Sequence, residues 1–262
     1  MPSWTSKTLL IALFGLALLT PAYAQTPLRV AAAADLEPVL PPILEQFQQA
    51  TGIRAEATFQ ASAALTTQIQ NGAPFDLFLS ADLGYPKRLI DAGLADAAGS
   101  ADSSSPIVYA RGTLVLWARK DSHLPPPSLD LLSNPNLMRL SIANPDRAPY
   151  GRAAVAALTS LKLYDSLKRR LVTAENISQA AQFVDSGNAD AGLISLTSAL
   201  TPRLSADGTY FIVPRDLYPP IEQGAVIVSK TTQREQVHEL LDYILSAPIQ
   251  AQLAKSGLTP VH

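Results

Sequence analysis

The sequence predicts a layered α/β protein of two lobes, each a mostly parallel sheet flanked by helices, and three observations lead there. Short apolar runs alternate with amphipathic stretches over most of the chain, as when strands take turns with helices. The stretch "IVYARGTLVLWARK" (107–120) is too long for an ordinary strand and reads as one passing from one lobe into another. No cysteine occurs in 262 residues, so packing alone must hold the fold together.

Taken in order, the first 24 residues stand apart. One positive charge at Lys7, an apolar run from Leu9 to Leu19 and the small-residue ending Ala22-Tyr23-Ala24 lay out a secretory leader cleaved after Ala24. The run is short for a membrane span, which needs about 20 residues. "LRVAAAA" (28–34) reads as a buried strand. Leu36, Val39, Leu40, Ile43, Leu44 and Phe47 then recur at helical spacing, with Gly52 as the stop. Pro38, Pro41 and Pro42 fall near that helix's start, where proline is best tolerated. "IRAEATF" (53–59) is a second strand, and "SAALTTQIQNG" a helix with Ser62 as its N-cap. "FDLFLS" (75–80) is a third strand, and a helix carrying Leu83, Tyr85, Leu89 and Ile90 follows it.

Beyond the long strand, "LPPPS" (124–128) is a loop, "LSIANP" (140–145) a strand and turn, and "YGRAAVAALTSL" (150–161) a helix. A strand near 170–173, a helix at 177–186 and the strand "AGLIS" (191–195) follow. "TYFIVP" (209–214) and "QGAVIVSK" (223–230) are further strands. The last helix carries Val237, Leu240, Leu241, Ile244 and Leu245 on one face.

Composition excludes several functions. With 20 basic and 22 acidic residues there is no basic surface for nucleic acid. Thiol nucleophiles and cysteine metal sites are absent. The three histidines, His123, His238 and His262, form no H-E-x-x-H pattern, which argues against a metalloenzyme. "GLISL" (192–196) lacks the second glycine of a hydrolase nucleophile elbow.

In open α/β sheets ligands sit beyond the carboxyl ends of strands, where loops enter helices. Four such junctions stand out: Ala34-Asp35, Ala61-Ser62-Ala63, Pro149-Tyr150-Gly151 and Asn176-Ile177-Ser178. Each presents free backbone N–H groups at a helix start, and several converging would hold an anion without lysine or arginine. Taken singly, each is better explained by ordinary capping. The four alanines at 31–34 suit a backbone that must touch a ligand, or a helix packed closely on its strand.

Together, "VAAAADL", "FQASAALTTQIQNGAPFDLFLSAD", "ANPDRAPYGRAA", "AENISQAAQFVDSGNADAGLIS" and "PIEQGAVIVS" resemble the molybdate-binding proteins of bacterial molybdate ABC importers, from about Leu28 to Leu258. The resemblance implies a type II periplasmic binding fold. One lobe would take residues 26–107 and 224–262 and the other 108–223, with hinges near 105–112 and 219–226. It implies capture of molybdate or tungstate in the periplasm and delivery to a membrane permease with its ATPase. It further implies a monomer with no cofactor and no catalysis, and with no cysteine for lipidation the protein is expected to diffuse freely. The alternatives are another oxyanion such as phosphate or sulfate, or a periplasmic enzyme on the same fold.

By position the resemblance assigns ligand contacts to Ala34 and Asp35, to Ser62, and to the backbone at Tyr150 and Ile177. Ser195, also a candidate contact, stands where some members carry a tyrosine, so that hydroxyl is missing and Tyr150 is expected to replace it from the neighbouring loop. Asp35 is the awkward residue, since a carboxylate at ~4 Å from a dianion is repelled by several kcal/mol. Its side chain is expected to turn back and cap the Leu36 helix; the rival is that it accepts a proton from a protonated oxyanion such as phosphate. Asp82 is expected to cap the helix after it, Asp76 to fix the start of its strand, and Arg147 and Arg152 to lie at the surface or behind the site.

Overall fold

The structure, a computed structural model, describes Met1 and residues 26–97 and 104–261. Apart from Met1, the expected leader lies outside the described residues, as does His262.

Strand β1 (Leu28–Ala33) runs into a 3-10 turn, Ala34–Leu36, and helix α1 (Leu40–Thr51) begins only after it. The helix opens later than Leu36 because Pro41 and Pro42, which lack an N–H, fit only in a first turn. Gly52 closes it in the left-handed region, φ 77°, donating to Gln48 O at 2.8 Å. Strand β2 (Ala55–Gln60), helix α2 (Ser62–Gln70), strand β3 (Leu77–Ser80), helix α3 (Gly84–Asp91) and strands β4 (Ala95–Ala97) and β5 (Ile107–Gly112) follow.

The second half holds β6 (Leu114–Arg119), β7 (Leu140–Ala143), α4 (Pro149–Ser160), the short α5 (Tyr164–Leu167), β8 (Leu171–Ala174), α6 (Ile177–Asp185) and β9 (Ala191–Ser195). Then come α7 (Leu196–Ala199), α8 (Pro202–Asp207), β10 (Gly208–Ile212), β11 (Ile221–Val228), α9 (Arg234–Leu245) and α10 (Ala247–Lys255).

Two sheets result. The first runs β2-β1-β3-β11-β4, with β5 also paired to β11; the second runs β10-β6-β9-β7-β8. The α/β layering is as expected, but the sheets are mixed and not mostly parallel. Only β1 with β2 and β3, and β7 with β8 and β9, pair in parallel. The strands next to the two passages between sheets, β5, β6, β10 and β11, all pair antiparallel. A chain that leaves a sheet and later returns can add its strands without a crossover helix, and antiparallel pairing is the result.

The long run does divide: β5 belongs to the first sheet and β6 to the second, with Thr113 between them. The return lies between Ile212 and Ile221. By sheet membership both passages therefore differ from the 107/108 and 223/224 boundaries read from sequence.

The core explains half of the alanine run. Ala32 packs with Leu40, Ile43 and Phe47 of α1 on one side of the first sheet, and Ala31 with Leu65, Phe78 and Leu89 on the other. Ala33 and Ala34 instead join the hydrophobic cluster of the second sheet. An alanine methyl contributes about a third of the ~1.5–3 kcal/mol of a buried leucine or phenylalanine. The strand end is thus shaped for closeness more than for stability. In the second sheet Trp117 is fully buried, its Nε1 donating to Leu204 O at 3.3 Å. A side chain at Gly208 would overlap its indole.

Candidate functional site

Five chain segments meet around one pocket, one of them the single residue Ala81 just past β3. Ala33, Ala34 and Asp35 close β1, while Gln60, Ala61 and Ser62 join β2 to α2. Ala148, Pro149 and Tyr150 open α4, and Asn176 and Ile177 open α6. The segments at β1, β2 and β3 belong to the first sheet and the other two to the second, so the pocket lies between the sheets. It is partly open to solvent and far too small for a drug-sized organic ligand, leaving room only for a compact ion.

No lysine, arginine or histidine lines this pocket among the described residues. Its positive character comes from helix starts, whose first N–H groups lack intrahelical acceptors and sit at the positive end of the dipole. Asn176 caps α6, accepting from Gln179 N–H at 2.9 Å. Ala61 and Ala148, just before α2 and α4, have no side chain with which to cap. Ser62 is buried and its Oγ accepts from Ala81 N–H at 3.2 Å, leaving its own O–H as a donor.

Asp35 is wholly buried. Its Oδ2 accepts from the Tyr150 hydroxyl at 3.1 Å and from Gln223 Nε2, while Oδ1 has no hydrogen-bond partner. Burial pushes the acid up to about 6, against the lowering effect of the Gln223 and Tyr150 hydrogen bonds. The same burial, together with the Asp35 charge, pushes the Tyr150 phenol well up. Two glycines make room for this contact. A side chain at Gly112 would strike the Tyr150 hydroxyl, and one at Gly151 would strike Ala143 O under the start of α4.

Contacts around the rim join the two halves. Arg152 pairs with Asp82 and lies over the Tyr85 ring, 5.4 Å from its centroid. Tyr85 Oη donates to Asp146 O at 3.3 Å, and Ser178 Oγ donates to Glu37.

Comparison with known proteins agrees with this geometry. Residues 28–259 match the family described as bacterial extracellular solute-binding protein. The chain belongs to that family. The molybdate-binding protein ModA of Azotobacter vinelandii is 37% identical to it over 254 residues, 97% of each chain. ModA of Rhodobacter capsulatus is 35% identical over 250 residues, 95% of this chain and 94% of that one. The solved periplasmic molybdate-binding protein of Azotobacter vinelandii superposes with a TM-score of 0.81 at 30% identity, covering 90% of this chain and all of the other. The sulfate-binding protein SubI of Mycobacterium tuberculosis, at 18% identity and TM-score 0.74, shares the fold.

In this solute-binding protein the structure brings Ala34, Asp35, Ser62, Tyr150 and Ile177 together, as the sequence suggested, and leaves Ser195 out. Ser195 is fully buried at the start of α7, where its Oγ accepts from Ser198 N–H and lies 2.9 Å from the Thr197 and Ser198 hydroxyls. Its oxygen is used up in capping a helix.

Two capping roles also change. Ser62 is the first residue of α2 and not its N-cap, and Asp35 caps nothing. The turn after β1 is too short to fold the carboxyl back, and Tyr150 and Gln223 hold it instead. The Tyr150 hydroxyl is accordingly spent on Asp35 and does not stand in for a missing ligand hydroxyl. Asp82 behaves as expected, accepting from Tyr85 N–H at the start of α3 at 3.0 Å. Arg147 pairs with Glu175 at 2.7 Å, away from the pocket lining.

Sequence reasoning missed Gln223 and Thr197, whose Oγ1 donates to Asp35 O at 2.8 Å. An amide inside the apolar strand "IEQGAVIV" was the available signal for Gln223; Thr197 offered none.

Proposed function

We propose that this solute-binding protein captures molybdate between its sheets and delivers it to an ABC importer, and that tungstate enters the same way. The carrying observation is a small pocket with no cation, lined by three helix starts and the Ser62 hydroxyl, in a chain 37% identical to a molybdate-binding protein. Dipoles and hydroxyls fixed in a rigid cage select an oxyanion by the distance at which its oxygens can be reached.

The amides of Ala34, Asp35, Ser62, Tyr150 and Ile177, with the Ser62 hydroxyl, are the proposed contacts. The lobes would be residues 26–112 with 221–261, and 114–212, hinged at Thr113 and in the 213–220 return. Export by cleavage after Ala24 would place the protein in the periplasm, where it works without catalysis.

Calorimetry of the purified protein against molybdate, tungstate, sulfate and phosphate tests this. The smaller sulfate should bind about 100-fold more weakly than molybdate, because its oxygens stretch the same hydrogen bonds beyond ~3.2 Å. Equal affinities for sulfate and molybdate would remove the assignment.

A further inference from the structure

The oddest group in the molecule is the Asp35 carboxyl. Asp35 lines a pocket read as an anion site, is fully buried, and has no cation against it among the described residues. Its two oxygens are not alike. Oδ2 already accepts from Tyr150 and Gln223, whereas Oδ1 is buried and has no partner.

Among the described residues, no charged group acts on Asp35. The ionisable groups facing it are two phenols, Tyr150 from α4 and Tyr109 from β5. From β11 comes an amide, Gln223, and from α7 the hydroxyl of Thr197. The ends of β2 and α6 that line the pocket bring Gln60, Asn176 and Ile177. Charged residues on the neighbouring elements are engaged elsewhere: Glu37 with Ser178, Arg152 with Asp82, and Arg111 with Glu222. An ionised Asp35 would therefore meet an incoming dianion with no cationic side chain among the described residues to offset the repulsion, leaving only the helix starts to do so.

Resting on the oxyanion reading, we propose that Asp35 is the specificity-determining donor of the site: it enters the complex as the neutral acid and donates from Oδ1 to an oxygen of the anion. Where the free site is ionised, the proton is taken from solvent as the anion binds and returns there on release, so well above pH 6 each captured ion brings close to one proton with it. The arrangement serves an anion that is fully deprotonated, since only such an oxygen is purely an acceptor. A protonated oxyanion would offer its own O–H and need the ionised carboxylate instead. Burial already favours the neutral acid, with Asp35 held near 6, so the proton is within reach at neutral pH.

The test is molybdate calorimetry in buffer pairs of different ionisation enthalpy, from pH 5.5 to 8. Uptake should approach one proton per molybdate at pH 8 and fall to about a quarter at pH 5.5, with affinity dropping roughly ten-fold per pH unit above about pH 7. Asp35→Asn keeps a donor but no titrating proton, so its uptake should vanish and its affinity should be flat with pH. Tight molybdate binding with no proton uptake at pH 8, or a pH slope that survives in Asp35→Asn, overturns the proposal. If that variant does not fold, judged by its melt, the proton count of the unaltered protein decides alone. Absence of molybdate binding at every pH would instead sink the oxyanion reading. Preference for phosphate without proton uptake would make Asp35 an acceptor and also refute the donor role.

Discussion

The two ends of the first sheet each hold a buried aspartate, and they are used in opposite ways. Asp76, just before β3, accepts from Arg29 N–H at 2.8 Å through one oxygen and from Thr231 Oγ1 at 2.7 Å through the other. Asp35, just past β1, is more deeply buried and leaves one oxygen without a partner. At the amino ends of the strands the chain finishes its hydrogen bonding. At the carboxyl ends it leaves groups unfinished, and there a ligand can finish them. The same residue type therefore staples one end and serves the site at the other.

The sharpest way to separate the two ends is pH. An unfolded chain gives up the Asp35 proton near 3.8, and the folded protein keeps it until about 6. Between those values the native state binds the extra proton. Its contribution is fully present below pH 3.8, declines as pH rises through the window, and is gone above about 6. Relative to Asp35→Asn, the unaltered protein should lose on the order of 3 kcal/mol across that window in urea melts. Parallel stability profiles for the two proteins would contradict the buried-acid account.

A smaller effect is expected at the other end. Asp76→Ala strands the Arg29 amide and the Thr231 hydroxyl, at about 2 kcal/mol of stability, with molybdate affinity unchanged once folded. A change in affinity larger than two-fold would mean the two ends are coupled.

The smallest effect on folding belongs to Ser62. Ser62→Ala removes one charge-assisted donor, worth about 1.5–2 kcal/mol of binding or some 10–30-fold in Kd, while the ligand-free melting temperature barely moves. Its lost acceptor for the Ala81 amide is replaceable by pocket water. If stability collapses and affinity survives, Ser62 is structural, and the carboxyl ends are less unfinished than they look.

Much of this was legible in the chain. Gly52 as a helix stop, the α4 and α6 starts, and a long strand shared between two halves all follow from local physics: positive φ, proline tolerance and apolar period. Four of the pocket's segments could be picked from strand-to-helix junctions alone. What the chain hid was partnership at a distance. Asp35 and Tyr150 are 115 positions apart, and Asp35 and Gln223 are 188. Local capping rules sent the carboxyl back to its own helix because no sequence pattern reveals a phenol arriving from the other sheet. The second-sheet contact of Ala33 and Ala34 was hidden for the same reason; α10 was missed for a local one, since its Pro248 suggests a break and yet sits at the helix start.

Trp117, sealed under Gly208 in the second sheet, has an optical consequence. The sequence contains two tryptophans, and the other, Trp4, lies in the proposed leader. The exported protein would then fluoresce from one indole, buried and bonded to Leu204 O, on one side of the pocket only. Its emission should lie to the blue and follow the unfolding of that half alone. Heat absorption records both halves, so the offset between the two traces measures how firmly the lobes melt as one.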